Sequence, residues 1–148
     1  MKTCKALALI LVLVVLTGIA AYFHLSTREE VTEGTLQVTI DGHAQTLNLS
    51  DLSHEPVSGV RVNGKGESIP VEGDGISVKD LLATLEVASC SKVTVVSADS
   101  YSAELTAEEI QEDGKAYLLL DEDYLRLVVF GDANSKRSVS NVVQVIVE

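Results

Sequence analysis

Leu125 to Val139 reads LRLVVFGDANSKRSV, and the way this stretch is parsed decides the fold. Leu125, Leu127, Val128, Val129 and Phe130 describe a strand covered on both faces, and Gly131 breaks it. A polar run of Asp132, Asn134, Ser135, Lys136, Arg137 and Ser138 follows before Val139 to Val147 resumes as an apolar strand. Lys136 and Arg137 are the only adjacent basic pair in the chain. With hydroxyl and amide donors around them, the loop is suited to an anion. A solvated connection between two strands is the plainer reading of the same residues.

Upstream of that strand, Asp121-Glu122-Asp123 reads as a charged hairpin turn closing on Ala116 to Leu120. Thr106 and Glu109 have the spacing of a capping box, which starts a short helix that Asp113-Gly114 ends. Val93, Val95 and Val96 form a strand that turns at Ala98-Asp99-Ser100 and returns as Tyr101 to Leu105. Ser77 is the N-cap of a helix from Val78 to about Glu86, with Ile76 and Leu81 as a hydrophobic staple and Leu81, Leu82 and Leu85 as its buried stripe. Gly73-Asp74-Gly75 reads as a turn ahead of it, and Val60 and Val62 as a short strand ending in Asn63-Gly64-Lys65-Gly66. Before these, Ser50 caps a single helical turn that Pro56 and Gly59 interrupt. Leu36, Val38 and Ile40 alternate with polar residues up to Asp41-Gly42, the signature of a hairpin returning through Leu47 and Leu49.

The N-terminus has a different character. Lys2 and Lys5 precede an uncharged run from Ala6 to Phe23, which as a helix spans about 27 Å, enough for a hydrocarbon core. Residues 1–25 are thus a membrane anchor or signal segment and 26–33 a polar linker, with 34–148 as the domain. The lysines ahead of the run and Arg28, Glu29 and Glu30 after it put the domain outside a single-pass cell membrane protein. Cleavage before Ala21 would instead secrete the domain. Beyond Phe23 lie nine of the eleven basic residues and all 22 acidic ones, a formal charge of −13, which argues against nucleic acid as a partner. Without tryptophan and with few Phe and Tyr, the core falls to Val, Leu and Ile, whose branching favours strands.

The segments GISVKDLL (Gly75 to Leu82), KVTVVSADSY (Lys92 to Tyr101), YLRLVVFG (Tyr124 to Gly131) and SKRSVSNVVQVIV (Ser135 to Val147), in this order, resemble the oxidoreductase molybdopterin-binding domain family. The resemblance covers roughly residues 35 to 148 and implies the sulfite-oxidase-like fold, a compact mixed β-sheet of α/β (α+β) class with a few short helices. It also implies a pterin as cofactor. Ser135, Lys136, Arg137 and Ser138 are then the contacts to its phosphate or to another anionic small molecule, with Asp99 and Tyr101 opposite.

The departures bear on the chemistry. Enzymes of the family hold molybdenum through a cysteine thiolate ahead of the Asp-Leu-Leu helix, whereas Val60 to Gly66 offers Arg61, Asn63 and Lys65. Ser100 takes the glycine position of the family's Asp-Gly-Tyr turn, and Phe130 the proline position before Gly131. The expected function is binding without redox catalysis, so the chain is not expected to be an enzyme of the family's kind. A non-catalytic protein interaction module is the second reading, and a molybdenum oxidoreductase with a ligand other than cysteine the third. Cys4 and Cys90 fall on opposite sides of the expected membrane and form no intrachain disulfide, and His43 and His54 are expected as surface residues near turns.

Overall fold

The computed structural model describes residues 12–19, 34–122 and 124–148. The chain divides into Met1–Glu30 and Val31–Glu148. In the first unit residues 12–19 are helical (α1). Among the described residues no helix is long and apolar enough to cross a membrane, and most of the expected anchor, 6–23, lies outside them.

The second unit is a mixed α+β domain dominated by strands. Its elements are β1 (Thr35–Ile40), β2 (His43–Asn48), a 3-10 turn (Leu49–Asp51), β3 (Glu55–Val62), β4 (Ser68–Ser77), α2 (Val78–Thr84), β5 (Lys92–Ser97), β6 (Ser102–Thr106), α3 (Ala107–Gln111), β7 (Ala116–Asp121), β8 (Tyr124–Val129) and β9 (Val142–Val147). The pairings resolve into two layers. One is β2-β1-β9-β5-β6, in which β1 and β9 run parallel and the other neighbours antiparallel. The other is the antiparallel set β3-β4-β7-β8. They meet where Leu125 of β8 pairs with Val142 of β9.

Alternation decides which side chains fill the space between the layers. Leu36 and Val38 of β1, Val93 and Val95 of β5, Leu118 of β7, Leu125 and Leu127 of β8 and Val145 of β9 join one core cluster. Ile76 at the end of β4, Leu81 and Leu82 of α2 and Ile110 of α3 close it, with Leu85 packed against it partly buried, so the staple and the stripe read from the sequence both face inward. The Ser77 side chain accepts the Asp80 N–H at 3.0 Å, and the Thr106–Glu109 capping box is complete. A second apolar cluster, with Val57, Leu119 and Val128 inside and Val71, Tyr117 and Phe130 around them, lies on the other face of the four-stranded layer. Val128 and Val129 point to opposite faces and are both buried, as the apolar run at 127–130 requires.

Five local readings are corrected. Gly73-Asp74-Gly75 is not a turn but part of β4. A Cβ on Gly75 would lie 2.8 Å from the Leu118 carbonyl oxygen, so this glycine marks close approach of β7. Pro56 and Gly59 do not break the chain but sit within β3, an eight-residue strand. Its only partner is β4, and an edge strand tolerates proline. The turn at 49–51 is capped by Asn48 rather than Ser50, without a side-chain cap bond. Helix α2 stops at Thr84, short of Glu86, which takes the left-handed φ of 56° that often follows a helix end. The last strand starts at Val142 rather than Val139, because the Val139 carbonyl accepts from Leu127 N–H at 2.8 Å and the Asn141 carbonyl from Ala98 N–H at 3.0 Å.

Leu81 is fully buried at the junction of α2 and the sheets, so Leu81→Ala is expected to destabilise the domain by about 2–4 kcal/mol in denaturant unfolding. A loss below about 0.5 kcal/mol would place it outside the core.

Candidate functional site

The turn from β5 to β6 is held by its own side chain. Asp99 Oδ1 accepts from the Ser97 hydroxyl and from Tyr101 N–H, the latter at 3.2 Å. The Ser97 hydrogen bond, then the Tyr101 N–H, holds the Asp99 carboxyl below its usual range. Ser100 stands at φ 70°, a backbone state that glycine adopts without strain. The turn presents the Tyr101 hydroxyl to the β8–β9 connection, where it donates to the Lys136 carbonyl. The two halves expected from the sequence are therefore neighbours.

The connection itself begins at Gly131, with φ 84°. Phe130 N–H donates to the Lys115 carbonyl at 2.8 Å, a bond that a proline at this position could not make. Its ring packs edge-on to Tyr117, centroids 5.9 Å apart, and over Gly59, where a Cβ would come within 2.4 Å of it. Beyond Gly131, Asn134 Oδ1 accepts Lys136 N–H at 3.0 Å and the Ser135 carbonyl accepts Ser138 N–H at 3.0 Å, two short closures that shape the loop.

Arg137 turns inward rather than standing as an exposed cation. Nε donates to Asp132 Oδ2 at 2.9 Å and Nη2 to Asp132 Oδ1, while Nη1 reaches Glu109 Oε1 at 2.7 Å and the Glu104 carbonyl at 3.5 Å. The guanidinium thus joins the loop, the end of β6 and the start of α3. The hydrogen bond to Asp132 leads the causes that raise the Arg137 pKa. Burial disfavours the Glu109 carboxylate, but the Thr106 N–H and Arg137 outweigh it and leave its carboxyl below the usual range. The two partners, Asp132 and Glu109, escape a sequence reading. Glu109 looks like part of a solvated helix face, and nothing in a linear spacing relates it to Arg137, 28 positions away.

Lys136 has no ion-pair partner among the described residues, and neither has Lys65. Their turns adjoin, since a Cβ on Gly64 would lie 3.8 Å from Ser135 Oγ. The Lys65 turn is itself closed by Asn63 Oδ1, which accepts from Lys65 N–H and Glu67 N–H, each at 2.9 Å. Ser138 Oγ is buried without a hydrogen-bond partner among the described residues. Two preformed turns thus carry cations on an acidic domain, an arrangement suited to charge-assisted bonds to an anion.

Other candidates offer less. Cys90 is partly buried, and burial raises its thiol pKa, which disfavours the thiolate a nucleophile needs. His54 is half-buried rather than exposed, with Nε2 buried and unpartnered. No three His, Cys, Asp or Glu side chains gather as metal ligands among the described residues. No protein-family model and no curated protein matches the chain.

The Arg137 clamp sets a pH dependence. Because the folded-state pKa of Glu109 is depressed, its contribution to stability is present above the ordinary glutamate range and lost as pH falls through the folded value. Glu109→Gln is expected to lower the unfolding free energy at neutral pH and to flatten its fall on acidification, followed by denaturant melts between about pH 7 and pH 3. Arg137→Met should cost about 1.5–3 kcal/mol at neutral pH. Wild-type stability in both variants would place the guanidinium in solvent.

Proposed function

We propose that the chain is a membrane-tethered, extracytoplasmic domain of the oxidoreductase molybdopterin-binding type that binds a pterin or another phosphate-bearing small molecule without redox catalysis. The observation that carries this reading is a pair of lysines, Lys65 and Lys136, without ion-pair partners among the described residues, on adjoining turns of a domain with formal charge −11. Lys79, Lys92, Lys115, Arg126 and Arg137 have carboxylate partners, and Arg61 is the other cation of the domain without one among the described residues. Two cations without counter-charges are favourable where an anion is to be held.

Each site residue has a role in this reading. Lys65 and Lys136 meet the anion, with the Ser135 hydroxyl beside them, while the Ser138 hydroxyl is buried beneath the loop surface. Arg137, neutralised by Asp132 and Glu109, fixes the loop rather than touching the ligand. Tyr101 fixes it from the other side through the Lys136 carbonyl, and Asp99 holds the turn that carries Tyr101. The left-handed backbone at Ser100 supports the likeness to the family's Asp-Gly-Tyr turn, since it is the state glycine adopts there most readily. Segment 60–66 fits the phosphate of a pterin cofactor and not a thiolate-bound molybdenum, because it contains no cysteine.

An interaction module is a second reading. It is favoured by a recess of about 260 Å³ in which Glu55, Asp80, Glu112 and Asp113 outnumber Lys79, itself paired with Asp113, an excess of carboxylates that suits a basic partner.

Calorimetric titration of the full chain with a pterin monophosphate tests the first reading. Lys65→Gln with Lys136→Gln is expected to weaken binding by about a hundredfold, since charge-assisted hydrogen bonds contribute about 1.5–3 kcal/mol each. Undiminished binding would put the site elsewhere, and no binding to the folded wild type would favour the interaction module. The tether has its own test in protease shaving of intact cells. Loss of residues 34–148 before lysis is expected, whereas protection until lysis would reverse the orientation.

A further inference from the structure

The outer face of the β3-β4-β7-β8 layer carries a recess of about 220 Å³ that belongs to neither the lysine turns nor the main core. It is lined by Arg61, Val71, Gly73, Leu119, Asp121 and Arg126, with Glu72 at its margin. Val71 and Leu119 belong to the small apolar cluster on this face, so one wall is greasy while the rest is charged. Gly73 faces this open space. A Cβ built there meets no atom within 4 Å.

The charges are arranged unequally. Arg126 Nε and Nη2 both donate to a single oxygen, Asp121 Oδ2, at 3.0 and 2.9 Å, and Nη2 also reaches the Tyr124 hydroxyl at 3.3 Å. Asp121 Oδ1 and Arg126 Nη1 have no partner among the described residues. Arg61 is half-buried and likewise forms no ion pair among the described residues. Two guanidinium groups, Arg61 and Arg126, and one carboxylate, Asp121, face the recess, so it offers both signs of charge within a few ångströms of an apolar wall. It suits a neutral molecule carrying both charges.

We propose that this recess binds a small zwitterion of the α-amino acid class, its carboxylate on Arg61 and Arg126 Nη1 and its ammonium on Asp121 Oδ1. The apolar wall of Val71 and Leu119 then receives the side chain. The volume is below the roughly 300–1,000 Å³ of drug-sized pockets, in keeping with a ligand of that size. The planar guanidinium of Arg61 presents the paired donors that a carboxylate takes in two parallel bonds.

Titration calorimetry on the full chain in detergent tests the proposal with glycine, L-alanine and L-leucine as probes, against propionate, n-propylamine and inorganic phosphate. At least one amino acid is expected to bind at least tenfold more tightly than propionate or propylamine. Arg61→Gln should weaken it tenfold or more. Gly73→Val should abolish it by filling the recess, while leaving thermal unfolding within a few degrees of wild type. Should Gly73→Val not fold, Arg61→Gln with the amine and carboxylate controls decides. Failure of all three amino acids to bind, propionate or phosphate binding as well as they do, or full affinity in Arg61→Gln would overturn the proposal.

Discussion

Strand β9 is hydrogen bonded along both edges, parallel to β1 and antiparallel to β5, and its first residue also meets β8. Among the described strands it alone has three partners, and its pairing with β8 is the ladder contact that joins the two sets into one nine-stranded sheet. The consequence is geometric. The chain must leave β8 in one layer and enter β9 in the other, so the connection after Phe130 passes over the seam and cannot hang in solvent as a free loop. Its backbone is tied on the way by Val139 to Leu127 and by Asn141 to Ala98.

That tie explains why the charges of the loop divide. A connection crossing the seam comes within reach of α3, whose Thr106–Glu109 capping box already orients a carboxylate. Arg137 docks there and on Asp132, which pairs a half-buried guanidinium with two carboxylates. Lys136, next in sequence, is left on the outside with its carbonyl held by Tyr101. The same loop therefore contains one cation that serves the fold and one that is available to a ligand, and preorganisation of the second by the first lowers the entropy cost of binding.

The sequence was informative wherever a signal was local. The Asp41-Gly42 hairpin, the Ser77 cap with its Ile76–Leu81 staple and the Thr106–Glu109 box are each decided within a few residues, and each is present. It misled where a residue answers to a distant neighbour. Gly75 is glycine for the sake of the Leu118 carbonyl and Gly59 for the Phe130 ring, so both look like breakers in the sequence while standing inside strands. Val139 looks like the start of a strand, yet its carbonyl is committed to β8. Of the candidate residues, Tyr101 of the 99–101 turn does meet the 135–138 loop, through the Lys136 carbonyl. The contribution of Lys65 and the diversion of Arg137 depend on the seam, which no spacing reveals.

The account turns on whether the two lysine turns act as one anion site. Backbone amide chemical shifts of the isotopically labelled full chain, followed during titration with a pterin monophosphate, test this most directly. The account predicts that residues 63–66 and 134–138 shift together with one saturation curve, while β2 and α2 stay in place. Shifts confined to one of the turns, or saturating shifts only at other positions, would contradict it.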